Sequence, residues 1–214
     1  MNAQYVTVQG VISSERKTAL ILTGIAASEG IWMYVNIAGR AAKFWRYTGF
    51  SDPGRAGLVG WVSALICAFL FIWPAAQLPS VRQNLIRVSW LKLLAFLLAV
   101  AAGFCEEVIF RKWLMDLMRN HGFHLAAQIT ASALLFGLAH GVWGLFRGSI
   151  RAAAGAVTAT SILGFMMAIV YLLSHRIVAP CVLAHFLINL FLEPGLVLAV
   201  VRGEMGRPLR GASH

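Results

Sequence analysis

Six stretches of the sequence run almost wholly apolar, at 18–37, 57–78, 91–108, 125–145, 152–173 and 178–201. Each is near or above the roughly 18–20 residues that a helix needs to cross a bilayer. None shows the short alternating segments of an outer-membrane barrel. The pattern predicts an all-α, polytopic membrane bundle of about six spans. Polar residues gather in the connections, of which the longest, 39–55, holds the turn cluster "TGFSDPGR". No linker or low-complexity segment divides the chain, and no internal repeat is visible, so one membrane domain is expected to fill it. Within that domain, residues 1–90 read as plain scaffold spans. Residues 91–192 carry embedded polar groups, and 202–214 form a basic tail. Because ionisable side chains inside a membrane are costly and mark sites or pathways, the active site is expected between the later helices.

Composition agrees with the pattern. The 214 residues are 59% hydrophobic and 12% charged, against about a quarter charged in a soluble domain. A soluble helical core would lack the polar surface to cover itself. The formal charge of +10, from 18 Lys+Arg against 8 Asp+Glu, would suggest nucleic acid on a soluble protein. Here the bases sit in the connections: Arg40, Lys43, Arg46 and Arg55, then Arg82 and Arg87, then Arg147 and Arg151, then Arg202, Arg207 and Arg210. That is the placement which the membrane surface and the insertion machinery favour. The bilayer, not nucleic acid, is the expected partner. Both sides of the alternating topology carry such residues, so charge assigns no orientation. Cys67, Cys105 and Cys181 lack any CxxC spacing, and no disulfide framework is expected. Arg16-Lys17 and the following "TALILTGIAAS" have the order of a signal peptide. Apolar sequence resumes at once with "IWMYVNIAG", so a retained span interrupted by Glu29 is expected; Glu29 has no obvious partner.

Three polar pairs stand at helical spacing. In "GFCEEVIFRKW", 103–113, Glu107 and Arg111 are four apart and stack on one face, where they can pair. Glu106 points about 100° away and shares its face with Phe110, so the two acids should do different work. In "LLFGLAHGVWG", 134–144, Phe136 and His140 share a face, and Gly137 and Gly141 bracket the histidine in a small-xxx-small pattern that lets another backbone come close. In "APCVLAHFLINL", 179–190, His185 and Asn189 project together from a helix that Pro180 suits as a start and that Pro194 ends or kinks. Each pair alone reads equally as a structural ion pair or an interhelical hydrogen bond. Together they supply what peptide-bond hydrolysis needs. A carboxylate stripped of hydration is a better proton acceptor from water. A histidine can hold that water or pass the proton on. An asparagine amide and a histidine N–H can donate to a tetrahedral oxyanion.

At these residues the sequence resembles the CPBP family: type II CAAX prenyl endopeptidases, bacteriocin-processing enzymes and their abortive-infection relatives. The family pattern of EExxxR, FxxxH and HxxxN on successive membrane helices stands here as Glu106-Glu107 to Arg111, Phe136 to His140, and His185 to Asn189. The segment "ILGFMMAIVYLLSHRIVAP" also resembles the helix that precedes the third motif. The resemblance spans about 91–192. It implies a glutamate-dependent intramembrane endopeptidase in which Glu106 activates water and His140 assists it. His185 with Asn189 stabilises the oxyanion, and Glu107 and Arg111 support the site. The expected partner is a membrane-associated or lipid-modified peptide or protein, and the expected location a bacterial inner (plasma) membrane.

The family has also been described as metal-dependent. A zinc version would use Glu106, His140 and His185 as ligands, with an open fourth position and Glu107 as base. There is no HExxH, and the amide of Asn189 is a poor zinc ligand, so no cofactor is the expectation. Two other classes compete: a peptide-toxin immunity or binding protein, which needs only capture, and a transporter with Glu106, His140 and His185 as a proton relay. The missing repeat disfavours transport.

Overall fold

The computed structural model describes residues 2–142 and 150–202. Among them there is no strand, and helices follow one another in the order α1 (Asn2–Ile37), α2 (Ala41–Thr48), a 3₁₀ turn (Pro53–Ala56), α3 (Gly57–Ala75), α4 (Pro79–Asn84), α5 (Trp90–Glu107), a π-helical segment (Val108–Met115), α6 (Asp116–Asn120), α7 (Leu125–His140), α8 (Ile150–Leu173) and α9 (Ala179–Val201). Five helical stretches are long and apolar enough to cross a membrane: Ser13–Ile37, Ala41–Ala75, Trp90–Asn120, Ile150–Leu173 and Ala179–Val201. The sixth expected span, α7, is a shorter apolar helix of 16 residues. Trp143 to Leu145, at the end of that apolar stretch, lie outside the described residues, as does the basic tail beyond Arg202. Large apolar side chains, among them Leu65, Phe69, Trp73, Leu97, Leu135 and Phe165, point outward from the bundle. That is the surface of an integral membrane protein.

Helix α9 is the hub. It packs against α1, α3, α4 and α5, while α7 and α8 pair with each other beside it. The α5 face that meets its neighbours buries Leu91, Ala95, Leu98, Ala102 and Cys105, a stripe at three- and four-residue steps. Close crossings rest on small residues, as they must where lipid is as apolar as the side chains. A Cβ on Gly103 would stand 3.2 Å from the backbone nitrogen of Phe186 in α9. A Cβ on Gly137 would run into Ser161 Oγ and lie 2.8 Å from the Val157 carbonyl of α8. The small-xxx-small reading around His140 therefore identifies a helix crossing.

Both ends of α5 are tied down. Ser89 caps its start, accepting from Lys92 N at 3.3 Å. Helix α9 does not end at Pro194 but runs through it. A proline has no N–H for the carbonyl four residues back, which leaves Leu190 O without its usual donor. Lys92 Nζ supplies one, donating to Leu190 O at 2.9 Å and to Leu85 O at 2.9 Å. At the other end, Asp116 accepts from Lys112 Nζ at 2.8 Å, Arg176 Nη1 at 2.8 Å and Tyr171 Oη at 3.1 Å. Arg176 Nη2 goes on to Gln128 Oε1 at 2.6 Å. This network joins α6, α7 and α8, and holds the helix carrying Glu106 and Glu107 against its neighbours.

Candidate active site

The two adjacent acids sit at the point where α5 passes from α-helical to π-helical geometry. Such π segments often accompany functional sites. This one leaves the Phe110 carbonyl accepting from Ser132 Oγ of α7 at 3.0 Å. Glu107 and Arg111 are fully buried rather than at the headgroups, and Arg111 Nη1 donates to Glu107 Oε1 at 3.0 Å. Arg111 Nη2 donates to the Gly164 carbonyl of α8 at 3.3 Å, and the guanidinium lies over the Phe136 ring at 4.4 Å. In this ion pair Arg111 donates and the Glu107 carboxylate accepts.

That settles the tautomer of His185. Its Nδ1 lies 2.7 Å from Glu107 Oε1, so Nδ1 carries the proton and donates. Nε2 points the other way, 3.9 Å from Glu106 Oε2. His140 is fixed by the same logic: Nδ1 lies 2.9 Å from the Phe136 carbonyl and must donate to it. Its Nε2 stands 3.7 Å from Glu106 Oε2. Both separations exceed a hydrogen bond, and Glu106 Oε2 is buried with no partner. Glu107 Oε2 is likewise unpaired, but its other oxygen carries both hydrogen bonds. Three acceptors, Glu106 Oε2, His140 Nε2 and His185 Nε2, thus converge with no donor among them. Phe136 forms one wall, its ring centroid 4.6 Å from that of His140 and 5.9 Å from that of His185.

The two histidines line one end of a cavity of about 280 Å³ between α3, α7, α8 and α9. Asn189 lines it one turn beyond His185, and Glu106 stands behind the histidines. The space exists because α8 presents Gly155, Ala156 and Ala159 there, while Phe71, Leu163, Leu192 and Leu196 make the walls apolar. So the six residues singled out by spacing divide into a buried frame, Glu107 with Arg111, three that line the cavity, His140, His185 and Asn189, and Glu106, which faces both histidines from behind the lining.

Three features were missed. The spacing pairs Glu107 with Arg111 but does not reveal that Glu107 also orients His185. Glu193, one turn past Asn189, lines the same cavity; its four-residue step from Asn189 was visible in the sequence. Glu29, without an apparent partner in the sequence, receives Cys105 Sγ on its backbone carbonyl at 3.2 Å.

Helix content, spans and the embedded carboxylate–histidine cluster define a polytopic integral membrane protein with a polar site set inside its bundle. Residues 88–191 match the family model described as Type II CAAX prenyl endopeptidase Rce1-like, a match consistent with the CPBP family, and this segment holds the whole cluster from Glu106 to Asn189. No curated protein and no solved structure matches the chain.

Proposed function

We propose that this protein is an intramembrane endopeptidase of a bacterial inner membrane, hydrolysing a peptide bond of a membrane-associated or lipid-modified protein or peptide with water activated by Glu106. The observation that carries this is the meeting of Glu106 Oε2 with two histidine Nε2 atoms whose other nitrogens are committed elsewhere. A water molecule is the donor that such a set lacks. It donates one proton to Glu106 Oε2 and the other to His140 Nε2, which leaves its oxygen free to attack a carbonyl carbon presented from the cavity. As the C–O bond forms, the first proton passes to Glu106. The oxyanion accepts from the Asn189 amide, and from His185 Nε2 once that ring, an acceptor at rest, takes up a second proton from bulk water as the oxyanion develops. Glu107, 2.7 Å away, balances the charge of that imidazolium. Glu106 then returns its proton to the amine nitrogen as the C–N bond breaks.

Zinc accepts donors of this kind. Yet among the described residues no group of three or more His, Cys, Asp or Glu side chains is placed to hold a metal ion. Glu107, the base of a zinc version, already accepts from both Arg111 and His185. The proposed reaction uses water and protons, and chelation tests that choice. Turnover of the purified protein should survive exhaustive chelation; loss restored specifically by zinc would overturn the metal-free part of the proposal. Asn189→Ala should lower kcat by about 10²–10³-fold, the cost of one oxyanion donor, with KM little changed. A KM effect alone would place Asn189 in binding instead.

A further inference from the structure

Glu193 is the one charged residue besides the histidines that lines the cavity, and neither the fold nor the proposed hydrolysis uses it. It falls just beyond the matched family segment. It continues the face of α9 that carries His185 and Asn189, at steps of four residues, so it lies about 12 Å along the helix from His185. Beyond Asn189 its surroundings in the lining are apolar: Leu192, Leu196, Val197 and Val200 on its own helix, Phe71 from α3 and Leu78 from the turn between α3 and α4. The one hydroxyl nearby in the lining, Thr160 Oγ1, donates to its own helix at Ala156 O, 2.7 Å. No described lysine or arginine forms an ion pair with Glu193. Among the described residues, the cations that reach the interior are committed, Lys92 to two carbonyls, Arg111 to Glu107, and Lys112 and Arg176 to Asp116. A carboxylate in an apolar cavity is costly unless something pairs with it.

We propose that Glu193 is a specificity residue that receives a lysine or arginine side chain of an otherwise apolar peptide segment lying in this cavity. The inference rests on the peptidase reading for its substrate. An extended peptide advances about 3.3 Å per residue, so 12 Å of helix corresponds to a basic residue about three or four positions from the scissile bond. The cavity, near the roughly 300 Å³ at which ligand pockets begin, suits a short segment rather than a folded domain. Pairing supplies a positive charge that no described residue brings to Glu193, and apolar walls exclude the water that would screen it.

The test is fluorescence anisotropy with a dye-labelled Leu/Ala decapeptide carrying one lysine, and with its glutamine counterpart, on the full chain bearing Glu106→Gln so that peptides stay intact. The lysine peptide should bind about tenfold tighter, as a charge-assisted hydrogen bond allows. The preference should disappear when Glu193→Gln is added, with affinity for the glutamine peptide unchanged. Equal affinity for the two peptides, or a lysine preference that persists without the Glu193 charge, overturns the proposal. Should Glu193→Gln not fold, carbodiimide labelling of Glu193 in the unsubstituted protein decides instead. The lysine peptide should protect it and the glutamine peptide should not; equal protection by both overturns the proposal. Cleavage followed in parallel separates the two readings. A Glu193-dependent preference without any cleavage leaves this inference standing and removes the peptidase, whereas Glu106-dependent cleavage indifferent to lysine does the reverse.

Discussion

Replacing Glu106 with glutamine stops turnover by about 10³-fold or more, the upper range for loss of a positioned general base, while the protein stays inserted and folded. The separation of the two effects follows from the geometry. Glu106 Oε2 makes no hydrogen bond, and its nearest polar neighbours, His140 Nε2 and His185 Nε2, stand beyond bonding distance at 3.7 and 3.9 Å. An amide of the same shape therefore removes no structural contact, and stability should change by less than about 1 kcal/mol. The amide cannot accept a proton from water. Thermal unfolding in micelles, followed by tryptophan fluorescence, should superimpose on the wild type while cleavage is lost. Retained cleavage would take the base away from Glu106, and a large drop in Tm would show that its role is structural.

The neighbouring acid should behave in the opposite way. Arg111→Ala leaves Glu107 as an uncompensated charge at a site with no solvent contact, which costs about 3–5 kcal/mol. The substitution also strips the cation from the Phe136 face and the donor from the Gly164 carbonyl. Against total stabilities of about 5–15 kcal/mol, this is a loss that folded yield should register. Removing both partners, as Glu107→Ala with Arg111→Ala, should cost less than the sum of the single changes by about 1–3 kcal/mol, because no orphaned charge remains. Arg111→Lys keeps a point charge but loses the planar fork that bonds Glu107 and Gly164 together, so it should restore part of the stability only. Additive costs in the double variant would show that the pair is not coupled. The same experiments probe His185, since Glu107 Oε1 holds its Nδ1: a Glu107→Ala protein rescued for stability should still be slow.

Much of this was legible along the chain because the relevant contacts are local or depend on a period. Four-residue spacing alone placed Arg111 over Glu107 and Asn189 beside His185, and put Glu106 on a separate face. Long apolar stretches named five of the six expected spans, the sixth forming the shorter helix α7, and glycines at 137 and 141 marked a close helix crossing. What escaped depended on contacts between distant segments. That His185 donates to Glu107 across 78 positions, and that Lys92 completes the carbonyl freed by Pro194 98 positions away, follow from how α5 meets α9. The π-helical segment after Glu107 has no periodic signature in eight residues. Glu193 was passed over for a different reason: its spacing was readable, but without the cavity nothing distinguished it from an acid at a helix end.

The most direct test of Glu106 as the base of a peptidase is mass spectrometry of membrane and secreted peptides from cells carrying the wild-type or the Glu106→Gln protein at equal abundance. A peptide end present with the wild type and missing with Glu106→Gln is the predicted result, and it would name the substrate and the bond together. Identical peptide ends in both cells, with the biological phenotype intact in the Glu106→Gln strain, would contradict hydrolysis and leave capture as the function.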